Sequence, residues 1–212
     1  MIKGNIRLIN ADCMDIMAQY EDNYFDLAIV DPPYGINVAK MGLGLGVGTD
    51  SRTWKNKAWD NEPPKLEYFK ELFRVSKNQI IWGGNYFINH LSNTNCCLIW
   101  DKMQEFSGAS FELAWTSFSS PSKAFRLSRV RAYVGMNKVH PTQKPTMLYD
   151  WQYKNYAEQG QKVLDTHLGS GSNAISAYYF GVGEFVGIEL DKEYFDAACK
   201  RIDEQTNQLK MF

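Results

Sequence analysis

The sequence lacks the features that mark secreted, membrane-spanning and zinc-binding proteins. Its four cysteines show no paired CxxC spacing, so we expect free thiols in a reducing cytoplasm and no metal site. No apolar run is long enough to cross a membrane. Residues 1–13 lack the basic head and apolar core of a signal peptide. Together these absences predict a cytoplasmic protein with no membrane partner.

The chain also lacks an excess of either charge. Its 212 residues carry a net charge of −1, so contact with nucleic acid requires a local basic patch. Residues 119–140, which we predict to form a loop, supply one, because they contain five cations and no acid. The candidate phosphate contacts are Lys123, Arg126, Arg129, Arg131 and Lys138. The alternative is that this basic stretch is only a solvated face.

The length and the order of the predicted elements indicate a single domain of the α/β class. Runs typical of strands alternate with helical patterns, which favours a Rossmann-like, mostly parallel sheet with helices on both faces. The predicted strands are 5–9, 25–30, 79–82, 96–100, 110–118, 163–165 and 185–188. The predicted helices begin near Asp12, Pro63, Gly83, Pro145, Asn173 and Asp191. Residues 36–62 contain repeated glycines and no periodic pattern, so we expect a mobile loop there.

The most informative stretch is Asp31-Pro32-Pro33-Tyr34-Gly35, at the end of the predicted strand 25–30. The two prolines donate no hydrogen bond, so the carbonyls beside them are fixed as acceptors. Asp31 adds a carboxylate acceptor, and Tyr34 adds a flat apolar face with a polar tip. Together they predict a pocket for a planar amine such as a nucleobase amino group. Taken alone, the stretch also fits a turn that ends a strand.

A second informative stretch combines a glycine-rich turn with a distant acid. Asp165 ends a predicted strand, and residues 169–172 turn directly into a helix, where a ligand can approach the backbone closely. Glu189 ends the next strand, at the spacing expected of an acid that binds ribose hydroxyls. GxGxxG and GK[ST] are both absent, so a nucleoside cofactor fits better than a dinucleotide or a triphosphate. Separately, the turn and the acid are compatible with a tight turn and a solvated strand end.

The motifs resemble those of the DNA amino-methyltransferases that use S-adenosylmethionine. Asp-Pro-Pro-Tyr occupies 31–34, His-Pro-Thr-Gln-Lys-Pro occupies 140–145, and the glycine turn occupies 165–172. This order is similar to that of the family's β group, whose chain is permuted relative to other members. The resemblance covers nearly the whole chain. It implies the S-adenosylmethionine-dependent methyltransferase fold in permuted order, with 103–139 as a short DNA-recognition region.

The resemblance also implies a role for each site residue. The catalytic pocket is predicted to be Asp31, Pro32, Pro33 and Tyr34, with the tyrosine stacking on the base. The predicted cofactor contacts are Asp12, Asp31, Lys144, Asp165, His167, Gly169, Ser170, Gly171, Ser172 and Glu189. Among them Glu189 holds the ribose, Asp12 lies near the adenine, and Lys144 lies in a segment that closes over the methionine end. Asp12 is equally explained as a helix N-cap, and His167, where the family often has Phe, as a packing residue.

The implied reaction is methyl transfer from S-adenosylmethionine to the 6-amino group of adenine in double-stranded DNA, after the base leaves the duplex. Adenine is preferred because the tetrapeptide begins with Asp, whereas the family's cytosine members more often begin with Ser. The alternatives are a cytosine 4-amino methyltransferase, an inactive DNA-binding relative, and a nucleotide-dependent oxidoreductase on the same sheet. A homodimer and a cognate restriction endonuclease are both compatible with the sequence.

Overall fold

The computed structural model describes residues 1–36, 62–104, 109–134 and 138–207. Within these ranges the chain forms one nine-stranded sheet and six α-helices. The strands are β1 (Ile2–Lys3), β2 (Ile6–Asn10), β3 (Phe25–Val30), β4 (Ser76–Trp82), β5 (Cys97–Asp101), β6 (Phe111–Thr116), β7 (Lys123–Arg126), β8 (Lys162–Asp165) and β9 (Glu184–Glu189). The helices are α1 (Cys13–Met17), α2 (Leu66–Val75), α3 (Arg129–Tyr133), α4 (Thr146–Tyr156), α5 (Ser172–Phe180) and α6 (Lys192–Asn207).

The strands are ordered β1-β2-β9-β8-β3-β4-β6-β5-β7, and the centre of the sheet is parallel. β2, β9, β8, β3 and β4 all run in one direction, whereas β1 and β6 are antiparallel to their neighbours. Parallel strands end at the same edge of a sheet, where ligands of open α/β folds bind. Asp31 follows β3 at this edge, beside the turn that follows β8. The pairing of β3 with β8 therefore brings together two motifs that are 134 residues apart in the sequence.

Helices cover both faces of the sheet, as the pattern of the central strands requires. Leu27 and Ile29 pack into the core beneath α4, α5 and α6, and Ala28 and Val30 pack into the core beneath α1 and α2. This alternation is the period of two of an extended chain. Because both sets are apolar, β3 is buried on both faces and anchors Asp31 on a rigid element. The predicted fold class, a Rossmann-like mostly parallel sheet, is confirmed.

Two predictions of local structure are wrong. The segment after Gly83 forms only a 3₁₀ turn (Gly84–Tyr86) instead of a helix, with Gly83 in the left-handed region at φ 73°. Residues 119–140, predicted as a loop, contain β7 and α3. β7 forms because it pairs with β5, and α3 begins where the Ser128 hydroxyl accepts the Arg131 N–H. The mobile loop predicted at 36–62 lies almost entirely outside the described residues.

Candidate active site

A cavity of about 1140 Å³ lies at the carboxyl ends of the central strands. Eight of the predicted site residues line it: Asp12, Asp31, Pro33, Lys144, His167, Gly169, Ser170 and Glu189. The remaining five, Pro32, Tyr34, Asp165, Gly171 and Ser172, are not part of the lining. The structure therefore places the acceptor motif and the glycine turn around one shared cavity.

Asp31 is held by two partners at the head of this cavity. Its Oδ1 accepts a hydrogen bond from the Tyr34 hydroxyl at 2.7 Å, and its Oδ2 lies 2.5 Å from the Lys144 ammonium. Burial raises the pKa of Asp31, and the Lys144 ammonium opposes that rise. Burial lowers the pKa of Lys144, but Asp31 and Glu112 outweigh that effect, so the pKa is raised and the lysine stays charged. Asp31 thus meets a fixed cation before any substrate enters.

The ring of Tyr34 is already stacked within the protein. It lies parallel to the ring of Tyr86, with 4.8 Å between centroids and 14° between planes. Gly83 approaches the Tyr34 ring so closely that a Cβ there would lie 2.2 Å from it, which explains why this position is glycine. Tyr86 is 46% exposed. Tyr86 extends the aromatic surface predicted for Tyr34. No sequence motif marks Tyr86 as a site residue.

Two further charged residues, Glu112 and Lys102, lie beside Lys144. No sequence motif marks either of them. Glu112 lies on β6 with its carboxylate 3.1 Å from the Lys144 ammonium and 2.7 Å from the Lys102 ammonium. Burial raises the pKa of Glu112, but the two ammonium groups outweigh it and lower that pKa to about 2. The available signal was an acid inside the otherwise apolar run Phe111–Trp115.

The glycine turn after β8 is fixed by buried polar contacts. Asp165 accepts the His167 N–H at 3.1 Å with one carboxylate oxygen and the Asn173 side-chain amide at 3.0 Å with the other. Gly169 and Gly171 have φ of 53° and 75°, values that favour glycine. Arg201 from α6, only 8% exposed, donates to the Ser170 carbonyl and the Ser172 hydroxyl. Arg201 is a further residue that the sequence motifs did not reveal.

Glu189 connects the turn to the last helix. One carboxylate oxygen accepts the Gly169 N–H and the other accepts the Asp191 N–H, each at 2.9 Å. Each oxygen of an ionised carboxylate has further acceptor capacity. Glu189 lines the cavity, so that capacity is available to hydroxyl donors of a ligand.

His167 is a neutral cavity residue. Burial lowers its pKa to about 4. Its Nδ1 lies 2.9 Å from the Thr166 hydroxyl, which in turn lies 2.7 Å from the Tyr68 hydroxyl. Asp12 accepts the Met14 N–H and so acts as the predicted N-cap, and it also lines the cavity.

The structure separates four of the five basic candidates. β7 is parallel to β5 and therefore runs in the same direction as β3, so Arg126 lies at the edge that carries the cavity, and Lys123 starts the strand at the opposite edge. The Lys123 ammonium bonds Asn155 at 2.7 Å. The Lys138 ammonium lies 3.8 Å from the centre of the Tyr133 ring. Burial, together with the positive charges of Arg129 and Lys102, lowers the pKa of Lys138 to about 8. Arg126, Arg129 and Lys138 therefore share an edge with the cavity, and Lys123 does not.

Among the described residues, no group of three or more His, Cys, Asp or Glu side chains could hold a metal ion. No helix in the described ranges is long and apolar enough to cross a membrane.

The parallel sheet, the glycine turn and the shared cavity define a Rossmann-like protein with one cavity that is lined by the turn and by a carboxylate acceptor. A family model described as DNA methylase matches residues 99–200, which include Glu112, Lys144 and the glycine turn. Over these residues the chain is similar to the N6/N4 DNA methylases.

Individual relatives align over most of the chain. It is 25% identical to the type II methyltransferase M.HpaI of Haemophilus parainfluenzae, over 95% of this chain and 75% of that protein. It is 22% identical to the type II methyltransferase M2.DpnII of Streptococcus pneumoniae, over 95% of this chain and 91% of that protein.

Solved structures share the fold at low sequence identity. The M1.HpyAVI–SAM complex aligns with a TM-score of 0.60 at 17% identity, over 96% of this chain and 100% of that one. The cytosine-N4-specific PvuII DNA methyltransferase aligns with a TM-score of 0.62 at 12% identity, over 96% and 92% of the two chains.

Proposed function

We propose that this DNA methyltransferase transfers a methyl group from S-adenosylmethionine to the 6-amino group of adenine in double-stranded DNA. The observation that carries the proposal is the single cavity lined by both Asp31 and Glu189. One carboxylate is suited to an amino group and the other to a ribose. Because both carboxylates line the same cavity, the target amine can contact the methyl group of the cofactor directly.

The residues around the glycine turn fit the cofactor. Gly169 offers close backbone approach, Glu189 retains acceptor capacity for two ribose hydroxyls, and Asp12 lines the same cavity near the proposed adenine position. Asp165 lies beside the turn but outside the cavity lining, and its buried carboxylate attracts the methionine ammonium through its charge. When bound, S-adenosylmethionine supplies a methyl group on a sulfonium sulfur, and its transfer forms an N–C bond while an S–C bond breaks.

The acceptor motif prepares the target amine. An exocyclic amine is a weak nucleophile because its lone pair is delocalised into the ring. Asp31 and the Pro32 carbonyl accept hydrogen bonds from the two N–H groups of the amine. These bonds favour a tetrahedral nitrogen with a localised lone pair. Tyr34 and Tyr86 supply aromatic surface beside the base. Preorganised acceptors and positioning carry the catalysis, and Asp31 takes the proton that the nitrogen loses.

The choice of base is tested by labelled methyl transfer. DNA of mixed sequence is incubated with the protein and methyl-labelled S-adenosylmethionine, digested to nucleosides and separated. We expect the label in N6-methyldeoxyadenosine. Label in N4-methyldeoxycytidine would favour the activity stated for the PvuII enzyme, and unlabelled DNA would overturn the proposal.

The basic residues at the edge that carries the cavity are proposed to contact DNA phosphates. Arg129→Ala should weaken binding to duplex DNA and reduce the slope of log K against log salt concentration by about 1, because one released counterion is lost. Lys123→Ala is the matched control, since Lys123 begins β7 at the opposite edge. Fluorescence anisotropy at several salt concentrations measures both. Equal losses in the two variants would contradict this placement of the DNA.

Cofactor affinity should rise with pH around neutrality. Burial raises the pKa of Asp165 to about 7, so below that pH the free protein holds this carboxyl protonated. The ammonium of the cofactor favours the ionised form, so affinity should fall by up to about tenfold for each pH unit below 7 and level off above it. Calorimetry from pH 6 to 8 measures this. Asp165→Asn should bind more weakly and without this dependence, and a flat wild-type profile would refute the assignment.

A further inference from the structure

The Lys144 ammonium lies between two carboxylates that come from different strands. Asp31 Oδ2, after β3, is 2.5 Å away, and Glu112 Oε2, on β6, is 3.1 Å away. The Tyr34 hydroxyl is a third contact at 3.2 Å. An ammonium has three hydrogens, so these three acceptors satisfy it fully. The side chain is only 3% exposed, so water does not replace a lost partner easily.

This arrangement weakens the acceptor that the proposed reaction needs. Asp31 accepts a hydrogen bond from the target amine, yet the Lys144 ammonium 2.5 Å from its Oδ2 neutralises the carboxylate and takes up part of its acceptor capacity. Moving the lysine away would leave a buried cation unpaired, which is strongly unfavourable, unless another anion holds it. Glu112 is that anion, and Lys102 at 2.7 Å competes with Lys144 for it.

We propose that Glu112 is a positioning residue that holds the Lys144 ammonium when the target amine binds, so that Asp31 becomes free to accept the amine. Lys102, which also binds Glu112, limits how strongly Glu112 holds Lys144. The proposal rests on the proposed methyl transfer and assigns a role to two residues outside the recognised motifs. The two carboxylates and two ammonium groups balance in charge, so the lysine can shift between the anions without a net change.

The charged and titratable groups around Asp31 come from several elements. They are Lys144, Glu112, Asp165 and the phenols Tyr34, Tyr68, Tyr133 and Tyr149. Glu112 is further faced by Lys102 and Lys138. Of these, Glu112 raises the pKa of Asp31 and Lys144 lowers it. Changes to Glu112 and Lys102 should therefore shift the ionisation of Asp31 in opposite directions.

The test is the pH dependence of single-turnover methyl transfer to DNA in two variants. In Glu112→Gln the Lys144 ammonium stays on Asp31, so the rate of methyl transfer should fall at least tenfold. The acid limb of the pH–rate profile should move to lower pH by about one unit. In Lys102→Met the ammonium is drawn to Glu112, so the acid limb should move to higher pH. S-adenosylmethionine affinity, measured by calorimetry, should change less than twofold in both.

A merely structural role would lower the melting temperature of both variants and leave the acid limb in place. An unmoved limb, or shifts in the same direction, overturns the proposal. If Glu112→Gln fails to fold, the direction of the Lys102→Met shift alone decides. If the wild type transfers no methyl group to DNA, the proposed function fails instead, so the two failures are distinguishable.

Discussion

Replacing Asp31 by asparagine should reduce methyl transfer to DNA by about two to three orders of magnitude, the cost typical of losing one preorganised group that stabilises a transition state. Asparagine has a similar size, but its amide nitrogen donates hydrogens where the target amine also donates. Lys144 keeps Glu112 as a counter-ion in this variant, so the fold should persist. Single-turnover transfer of labelled methyl to duplex DNA measures the loss.

Asp26→Asn is the matched control for this change. Asp26 lies on the same strand, β3, but near its other end, where it pairs with Lys77 at 2.7 Å. We expect its transfer rate to stay within about twofold of wild type, as for most surface changes. A fully active Asp31→Asn protein would exclude the carboxylate from the chemistry, whatever its position.

Replacing Glu189 by alanine should weaken S-adenosylmethionine binding by about a hundredfold, the equivalent of about 2–3 kcal/mol for hydrogen bonds to a charged group. Two effects combine. The ribose hydroxyls lose their acceptor, and the Gly169 and Asp191 N–H groups lose the carboxylate that ties the turn to α6. Calorimetry measures the affinity.

Glu184→Ala separates these effects from a general weakening of β9. Glu184 begins the same strand and accepts the Tyr24 hydroxyl at 2.8 Å, away from the cavity. Its cofactor affinity should match that of wild type within about twofold. If both variants bind equally well, Glu189 does not hold the cofactor; if both bind equally badly, the loss reflects the strand.

The parts of the site that could be predicted from sequence are those encoded by local pattern. The apolar run 25–30 predicted a buried strand, and the structure has β3 at Phe25–Val30. Because strand ends of a parallel sheet meet at one edge, Asp31 and the glycine turn could be predicted to converge. Asp12 could be predicted as an N-cap because that role depends only on neighbouring residues.

The parts that could not be predicted depend on contacts between distant segments. Glu112 meets Lys144 only because β6 packs antiparallel against β4, a pairing that no local pattern encodes. Arg201 lies on α6, 29 residues beyond Ser172, and it stabilises the glycine turn by donating to the Ser172 hydroxyl. Lys123 was grouped with Arg126 by sequence proximity, whereas the direction of β7 places them at opposite ends of a strand.

The most direct test of the account is a crystal structure of the protein with S-adenosylmethionine bound. A hydrogen bond of about 3 Å from the amine N–H to Asp31, plus a reacting contact of about 3–3.5 Å, requires the sulfonium methyl within roughly 6 Å of the Asp31 carboxylate. We predict that distance, with the ribose hydroxyls on Glu189. A cofactor bound elsewhere, or a methyl group facing away from Asp31, would contradict the account.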